Sequence, residues 1–491
     1  MTGAGELDDL LGRLRVLDVR LAAAGDKLRY DAPRGVLSPE LLAELKRHKP
    51  TLLSRLAGAV VDEAPVSAQQ EAMLTTVTHL PRPAVFNVGT RIWLTGRLDT
   101  PALGRAITEL VARHVGLRCR FVRDGAGRWS QQALAPVPFT LPVDDLRDGP
   151  AERAEEICLE LANTPFNLGR GTMPVCRLLR VGTRRWALML VTHHISTDGW
   201  SLSLTLRELA ALYGAAVTGT APQLEAPGAQ STDYARWQRE QADAGLDARQ
   251  LEFWRQHLEG VLLAADLPTD RPRPSRASGA GDTVRLEVPH PTRAAVESFA
   301  QSLGVTPFAV TAAALGRLLA RLSGAPDVVL RMSYANRERR EFESLVSCTR
   351  IGVGLVVRAP MRVPFTTLVK QTCAASLAAL DNPVSIDRVV YELCATGRGA
   401  EPDRPLIGFA FQNLPGPEVA FTGLATRVEN VAAAASRADL TFGLVSADAP
   451  ARGYQAWLEY TTDLWEPATA TRLLREYVDS LAELCDPARV A

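Results

Sequence analysis

Two adjacent histidines at the end of an apolar run are the residues of this chain most suited to chemistry. Residues 186–192 are apolar or β-branched, His193 and His194 follow them, and the whole chain holds only seven histidines. A histidine titrates near neutrality and can take a proton from an amine or hydroxyl when its tautomer is held. The pattern predicts a buried strand that ends in a loop bearing a proton-transfer or hydrogen-bonding site.

Strand geometry predicts that the two histidines do different work. Successive side chains of a strand point to opposite faces, so one ring should face the core and the other an opening. Asp198, four residues after His194, is a candidate for ordering the loop and balancing charge. Gly199 permits a positive φ and is a candidate for bringing a backbone N–H close to a substrate.

Two other interpretations of the histidine pair are weaker. Metal ligands on a strand are expected at i and i+2, whereas adjacent residues diverge, and no CxxC or HExxH occurs in the chain, so no metal site is predicted. The other alternative is that both histidines are core residues whose hydrogen bonds are satisfied within the protein. The Asp-Gly pair at a strand end makes that alternative the less favoured one.

Composition limits the class of protein. A chain of 491 residues predicts two or three domains. The numbers of basic and acidic residues are equal, 55 each, so the overall charge does not indicate nucleic-acid binding. The seven scattered cysteines favour reduced thiols in a cytoplasmic protein. No signal peptide opens the chain and no apolar stretch is long enough to span a membrane.

A compact unit is predicted over residues 1–62, with a break near Val60–Pro65. Helical spacing of leucines near residue 10 is followed by a hairpin over 18–31 that turns at 25–26. Ser38 is the predicted N-cap of the next helix, and Pro50 is predicted to split that segment in two. The unit therefore has the predicted order αββαα.

The exposed edge of this hairpin is a candidate site for adding a strand from another chain. Its basic side chains favour an acidic peptide, although a solvated basic face is an equally weighted alternative. The candidate peptide-binding residues are Arg20, Lys27, Leu28, Arg29 and Tyr30.

Residues 5–58 resemble the N-terminal docking domains first recognised in tubulysin synthesis. The resemblance rests on GDKLRYDAPRG and LSPELLAELKRHKPTLL. It implies that the unit recruits the C-terminal tail of an upstream subunit, and in that family such units often dimerise.

Residues 66–491 resemble the condensation domain of nonribosomal peptide synthetases. HHISTDG fits the HHxxxDG motif and is followed by Trp200, and PVSAQQEAML, RHVGLRCRF, PFNLGRGTMPVCRLLRV, STDYARWQ, LPTDRPRP and GFAFQN come in the expected order. The resemblance implies an α/β (α+β) fold of two chloramphenicol-acetyltransferase-like lobes, a V-shaped pseudo-dimer with a central tunnel. The condensation domain would span 63–491, with lobes at 63–235 and 236–491.

The resemblance also implies the chemistry. An acyl or peptidyl thioester on one carrier protein would meet the amine of an aminoacyl group on another, so no protein nucleophile is needed. The phosphopantetheine arms come from the carriers, and this chain binds no cofactor of its own. His194 would take the proton or hydrogen-bond the amine, and the Gly199 N–H is the candidate donor to the thioester oxygen.

His193, Asp198 and Trp200 have structural roles in this scheme. An unpaired buried carboxylate is costly, so Asp198 is predicted to pair with an arginine, either Arg118 or Arg177.

Three segments depart from the family pattern: SCTRIGVGLVVRAP, DNPVSID and Ser231. These departures are consistent with an unusual donor or acceptor substrate. Two alternatives therefore stay open beside amide formation, namely acyl transfer to a free amine or alcohol, and a non-catalytic recruitment module. Whether the chain is stand-alone or part of a longer synthetase is also open.

Overall fold

The structure is a computed structural model. It describes residues 10–485 except 11–12, 15–16, 18, 25–26, 34–35, 51, 53–58, 78–80, 151, 262–265, 359–360, 396–405, 413–418, 432–433 and 447–452. Most of the first predicted helix and the predicted turn at 25–26 lie outside the described residues.

The N-terminal unit contains the predicted hairpin and a capped helix. Strand β1 (Arg20–Ala24) pairs antiparallel with β2 (Lys27–Asp31). Helix α1 (Pro39–Arg47) begins where the Ser38 hydroxyl accepts the Leu41 N–H at 3.2 Å, as predicted. The helix breaks at His48, two residues before Pro50. The unit has a small apolar core of its own, formed by Leu10, Leu14, Val19, Leu41, Leu45 and Leu52.

The first half of the larger unit is built on a five-stranded sheet with β9 at its centre, in the order β14-β4-β9-β8-β7. Its strands are β4 (Asn87–Gly96), β7 (Val143–Asp145), β8 (Val175–Arg180), β9 (Arg185–His193) and β14 (Leu424–Val431). A second sheet, ordered β3-β6-β5, contains β3 (Val60–Pro65), β5 (Cys119–Arg123) and β6 (Trp129–Leu134). The helices are α2 (Ala68–Val77), α3 (Thr100–Arg113), α4 (Arg153–Asn163) and α5 (Gly199–Thr218).

Alternation along β9 explains why both of its faces are apolar. Leu188 and Leu190 pack on the side of α3 and α5, whereas Met189 and Val191 pack on the side of α4. Every residue of β9 after Arg185 is buried, which confirms the predicted buried strand.

The second half contains a six-stranded sheet in the order β10-β16-β15-β13-β11-β12. Its strands are β10 (Gly281–Val288), β11 (Asp327–Tyr334), β12 (Ile351–Arg358), β13 (Ile407–Gln412), β15 (Leu440–Ser446) and β16 (Tyr454–Thr461). The helices are α6 (Ser231–Asp243), α7 (Leu246–His257), α8 (His290–Leu303), α9 (Pro307–Ser323), α10 (Phe365–Asp381), α11 (Ile386–Ala395) and α12 (Pro467–Leu484). The segments DTVRLEVP and VVLRMSYA lie largely in β10 and β11, and the alanine-rich segment PFAVTAAALGRLLARLS forms α9.

Three segments cross the boundaries drawn from the sequence. Strand β14 lies late in the chain yet pairs antiparallel with β4 of the first sheet, with Val428 opposite Ile92. Helix α6 continues through the division at 235/236. The division at 62/63 falls inside β3, which pairs with β6, so the larger unit already includes Val60.

Within the described residues no single helix is long and apolar enough to cross a membrane. Helices α8 and α9 have the length and apolar composition of a membrane span only when taken together, and they meet at a bend of 107°. Both contribute to the apolar core of the second half.

Candidate active site

The histidine motif forms the connection between β9 and α5. Strand β9 ends at His193, and α5 begins at Gly199. From His193 to Asp198, every residue is buried except His194. The connection therefore presents one ring from an otherwise closed turn.

His193 stabilises the turn from its buried side. The residue is 2% exposed, and its ring packs against Phe86 and Phe166, with ring centroids 5.9 and 5.7 Å away. Its Nδ1 accepts the N–H of Ile195 at 3.1 Å, and its carbonyl accepts the Ser196 N–H at 3.0 Å. Burial and the positive charge of Arg437 lower the pKa of His193 to about 3. The neutral ring is a structural hydrogen-bond acceptor.

His194 lies on the other side of the chain, as strand alternation predicts. Its backbone N–H donates to the carbonyl of Phe86 at 2.7 Å, which extends the β4–β9 ladder by one bond. Its Nδ1 lies 3.6 Å from the Sγ of Cys348. Burial, together with the positive charges of Arg437 and Arg350, lowers the pKa of His194 to about 3. The ring is therefore neutral at pH 7, with Nε2 as the atom left for a substrate.

Asp198 is the cap of α5 and a buried anion. One of its oxygens accepts the Ser201 N–H at 2.8 Å. The other accepts from the backbone N–H and the hydroxyl of Thr349, both at 3.1 Å. Burial alone would raise its pKa, but the charge of Arg337 and these hydrogen bonds outweigh it and hold the pKa of this carboxyl below its usual value.

The prediction that Arg118 or Arg177 pairs with Asp198 is wrong, because the partner is Arg337. The Arg337 Nη2 lies 3.1 Å from an Asp198 oxygen, and both side chains are nearly inaccessible to solvent. Arg337 follows β11 in the second half, so an arginine distant in sequence is brought to the carboxylate by the tertiary fold.

The two arginines named from the sequence have other partners. Arg118 donates to the backbone carbonyls of Val111, Ala112 and Leu134, which ties the end of α3 to β6. Arg177 lies on β8 and pairs with Asp144 on the neighbouring strand β7. Each finds an acceptor close to its own element, so neither is available to Asp198.

Gly199 is the first residue of α5 and is exposed. It lies outside the positive-φ region, so the expected use of a left-handed conformation is wrong. A Cβ built at this position meets no atom of the surrounding protein within 4 Å, so there is open space beside Gly199. N–H groups of a first turn have no intrahelical partner.

Trp200 and Ser201 join this turn to the second half of the chain. The Trp200 Nε1 donates to the carbonyl of Glu343 at 2.8 Å. The Ser201 hydroxyl donates to the carbonyl of Ser347 at 2.6 Å and accepts from Arg337 at 2.8 Å. The start of α5 is therefore held by the segment that connects β11 to β12.

Sequence reasoning missed the residues that this connecting segment supplies: Arg337, Cys348, Thr349 and Arg350. The available signal was the departure of SCTRIGVGLVVRAP from the family pattern. It marked the segment as unusual without showing that the segment reaches the histidines.

The hairpin of the N-terminal unit divides its side chains between core and solvent. Leu28 packs against the small apolar core, whereas Arg29 and Tyr30 are exposed. Nothing is described of the side chains of Arg20 and Lys27. Within the described residues β2 pairs only with β1.

The larger unit is an α/β protein, and its two halves meet at the loop that carries the histidine pair. Comparison of its sequence with known proteins identifies its family. Residues 60–488 match the family model described as Condensation domain. Residues 7–57 match the TubC N-terminal docking domain. The chain belongs to the condensation-domain family and has a TubC-type docking domain at its N-terminus.

The matching curated proteins are large synthetases. One of the linear gramicidin synthase proteins of Brevibacillus parabrevis is 30% identical over 474 residues, which cover 93% of this chain and 6% of that protein. Phosphinothricin tripeptide synthetase PhsB of Streptomyces viridochromogenes is 32% identical over 507 residues, which cover 98% of this chain and 42% of that protein. The chain thus spans less than half the length of these relatives.

Solved structures share the fold. The X-domain from teicoplanin biosynthesis aligns with a TM-score of 0.77 and 25% identity, covering 88% of this chain and 97% of that one. The first condensation domain of the calcium-dependent antibiotic synthetase, in complex with substrate analogue 3a, aligns with a TM-score of 0.74 and 22% identity, covering 88% and 98%.

Proposed function

We propose that this chain forms an amide bond between an acyl or peptidyl thioester on an upstream carrier protein and the amine of an aminoacyl group on a downstream carrier protein. The observation that carries the proposal is the single partly exposed ring of His194 in an otherwise buried turn. Family membership supports it, because condensation domains catalyse amide formation by acyl transfer.

The reaction needs alignment more than activation. A thioester is already an activated acyl group, so the chain has to bring the amine to the carbonyl carbon and exclude competing water. In this proposal the two carrier-bound arms enter a tunnel between V-shaped lobes from opposite sides and meet at His194.

In this proposal the Nδ1–H of His194 donates to the Sγ of Cys348, so that Nε2 accepts a hydrogen bond from the attacking amine. A ring whose pKa is held at about 3 is a weak base, so orienting the amine is favoured over complete removal of its proton. The Gly199 N–H, at the open start of α5, donates to the thioester oxygen as negative charge develops there. His193, Asp198 and Trp200 keep this geometry without touching substrate.

The docking unit recruits the donor. The exposed side chains of Arg29 and Tyr30, next to a strand edge, suit an acidic C-terminal peptide of the upstream subunit added to the hairpin. Dimerisation through this unit is part of the same proposal. A cytoplasmic location is supported by the cysteines described, all of which are free.

The test loads an acyl group on the upstream carrier and an amino acid on the downstream carrier, and product is followed by mass spectrometry. We expect His194→Ala to lower turnover by at least about 100-fold at an unchanged melting temperature. His290→Ala, which removes an exposed histidine at the start of α8, is the matched control and should leave turnover unchanged.

Two results would contradict the proposal. Near-normal turnover by the His194→Ala variant would show that the imidazole ring takes no part in the reaction. Product formed with a soluble amine or alcohol but not with the loaded downstream carrier would assign the chain to acyl transfer onto a free acceptor.

Recruitment of another protein is a second candidate, favoured by one structural neighbour. The X-domain of teicoplanin biosynthesis was also solved in complex with OxyB and aligns with a TM-score of 0.75 and 25% identity. Absence of product with both kinds of acceptor, from a folded chain that still binds the loaded donor carrier, would favour this candidate.

A further inference from the structure

Two arginines near His194 have no carboxylate partner within the described residues. Arg350 donates to the hydroxyl of Ser333 at 3.0 Å, and the guanidinium of Arg437 lies over the ring of Phe86, 5.4 Å from its centroid. Neither forms an ion pair with a described residue, whereas Arg337 and Arg331 nearby pair with Asp198 and Asp387. Two unpaired cations therefore share the neighbourhood of a neutral histidine.

Contacts through Phe86 and Cys348 connect both arginines to the histidine pair. The ring of Phe86, over which Arg437 lies, packs against His193, and the carbonyl of Phe86 accepts the backbone N–H of His194 at 2.7 Å. Cys348, two residues before Arg350, contacts the Nδ1 of His194. Arg437 is thus linked to the histidines through Phe86, and Arg350 through the segment that leads into β12.

The two arginines act electrostatically on each other and on the histidines. The charge of Arg437 disfavours protonation of both His193 and His194, and Arg350 adds to this effect at His194. The surrounding protein and the charge of Arg350 lower the pKa of Arg437 to about 10, so it remains protonated at pH 7. The side chain of Arg437 is exposed, so its charge is accessible to a ligand that enters from solvent.

Nearby acids do not neutralise this charge. Glu459 acts on Arg437 from a distance while its Oε1 accepts the Ser436 hydroxyl at 3.1 Å. Asp387 is engaged by Arg331 at 3.1 Å. Counting Arg331, Arg350 and Arg437 against Asp387 and Glu459 leaves an excess of one positive charge near the histidine loop. Such an excess attracts an anion to this part of the surface.

We propose that Arg350 and Arg437 bind a carboxylate carried by one of the two substrates, next to the reacting thioester. Guanidinium groups recognise carboxylates by paired, charge-assisted hydrogen bonds, and the planar group of Arg437 is already oriented by the ring of Phe86. The thioester lies at His194 in the proposed reaction, and the phosphate of the arm is many bonds away from it. The anion is therefore a carboxylate of the acceptor or of the donor acyl group.

This inference rests on the proposed function, since it assigns a chemical class to its substrates. It is best tested by binding, without turnover. The full chain is titrated calorimetrically with unreactive pantetheine amides, in which nitrogen replaces the thioester sulfur. Aspartyl and asparaginyl analogues test the acceptor side, and succinyl and succinamoyl analogues test the donor side.

We expect the carboxylate member of one pair to bind at least about tenfold tighter than its neutral isostere. Arg437→Gln and Arg350→Gln should each reduce that preference to about threefold or less, whereas Arg437→Lys should retain part of it. Arg97→Gln is the matched control, because Arg97 is exposed just beyond the far end of β4 from Phe86.

No preference in either pair for the wild-type chain would overturn the carboxylate site, as would a preference that survives in both Gln variants. The two proposals fail separately. Carboxylate-selective binding without any condensation product would overturn only the function, and normal condensation without selectivity would overturn only the carboxylate site.

Discussion

At the scale of single residues, the buried pair of Asp198 and Arg337 holds the histidine loop. Asp198 caps α5, and Arg337 donates both to it and to the carbonyls of Phe342 and Leu345, each at 2.7 Å. Among the described residues, each of these two charges forms an ion pair with the other and accepts or donates hydrogen bonds within the surrounding turn. Removing one member leaves an uncompensated buried charge, which is worse than having neither.

We therefore expect Arg337→Met to lower the free energy of unfolding by about 3 kcal/mol. The double variant Arg337→Met/Asp198→Asn should lose less than the sum of its single changes, because the two side chains interact directly. Denaturant titration measures both quantities. Arg147→Met, which breaks an exposed pair with Asp145, is the matched control and should leave the free energy of unfolding nearly unchanged, because solvent screens that pair. Additive losses in the double variant would contradict the direct pairing.

At the scale of elements, β14 fastens the second half of the chain to the first. It pairs with β4 along its whole length, and Val431 at its end lies opposite Gly89. A Cβ built on Gly89 would come within 2.5 Å of the Val431 carbonyl oxygen, with Met189 and Ala162 close on the same side. A glycine is required here by close approach of two backbones.

We expect Gly89→Ala to displace β14 and to lower the free energy of unfolding by about 1 to 3 kcal/mol. Amide hydrogen exchange should then quicken selectively across β14 and β4. Gly104→Ala is the matched control: that glycine lies inside α3 with open space around it, and alanine there should stabilise by up to about 1 kcal/mol. Unchanged exchange in β14 would show that the neighbouring strands absorb the extra methyl group.

At the scale of the whole molecule, two units with separate cores share one chain. The docking unit buries its own leucines, and the larger unit begins with β3, next to which the Ala59 carbonyl accepts the Ala135 N–H at 2.8 Å. A truncation that removes only the docking unit should therefore end at residue 58, because a later cut removes part of the β3–β6 pairing.

We expect deletion of residues 1–58 to lower turnover about tenfold or more at low concentrations of the donor carrier and to leave it unchanged at saturation, because docking raises only the effective concentration. Removing the C-terminal tail of the upstream subunit should have the same effect, and combining the two changes should add nothing. Turnover as a function of carrier concentration measures this. Equal rates for full-length and truncated chains at low carrier concentration would contradict a recruiting role.

Local sequence determined much of this protein. The apolar run before His193 specified β9, strand alternation separated the two histidines, and Ser38 marked the start of α1. The ordered motifs identified the condensation-domain family over most of the chain. These features depend on residues close together in the chain, whose periodicity and capping act locally.

Only the tertiary structure decided which residues meet at the site. Arg337 and Thr349 lie 139 and 151 residues from Asp198 in sequence, and Cys348 lies 154 residues from His194. Arg118 and Arg177, the partners predicted for Asp198, have acceptors beside their own helix or strand instead. Long-range charge pairing depends on how the two halves pack, and packing is a property of the whole fold that no local pattern encodes.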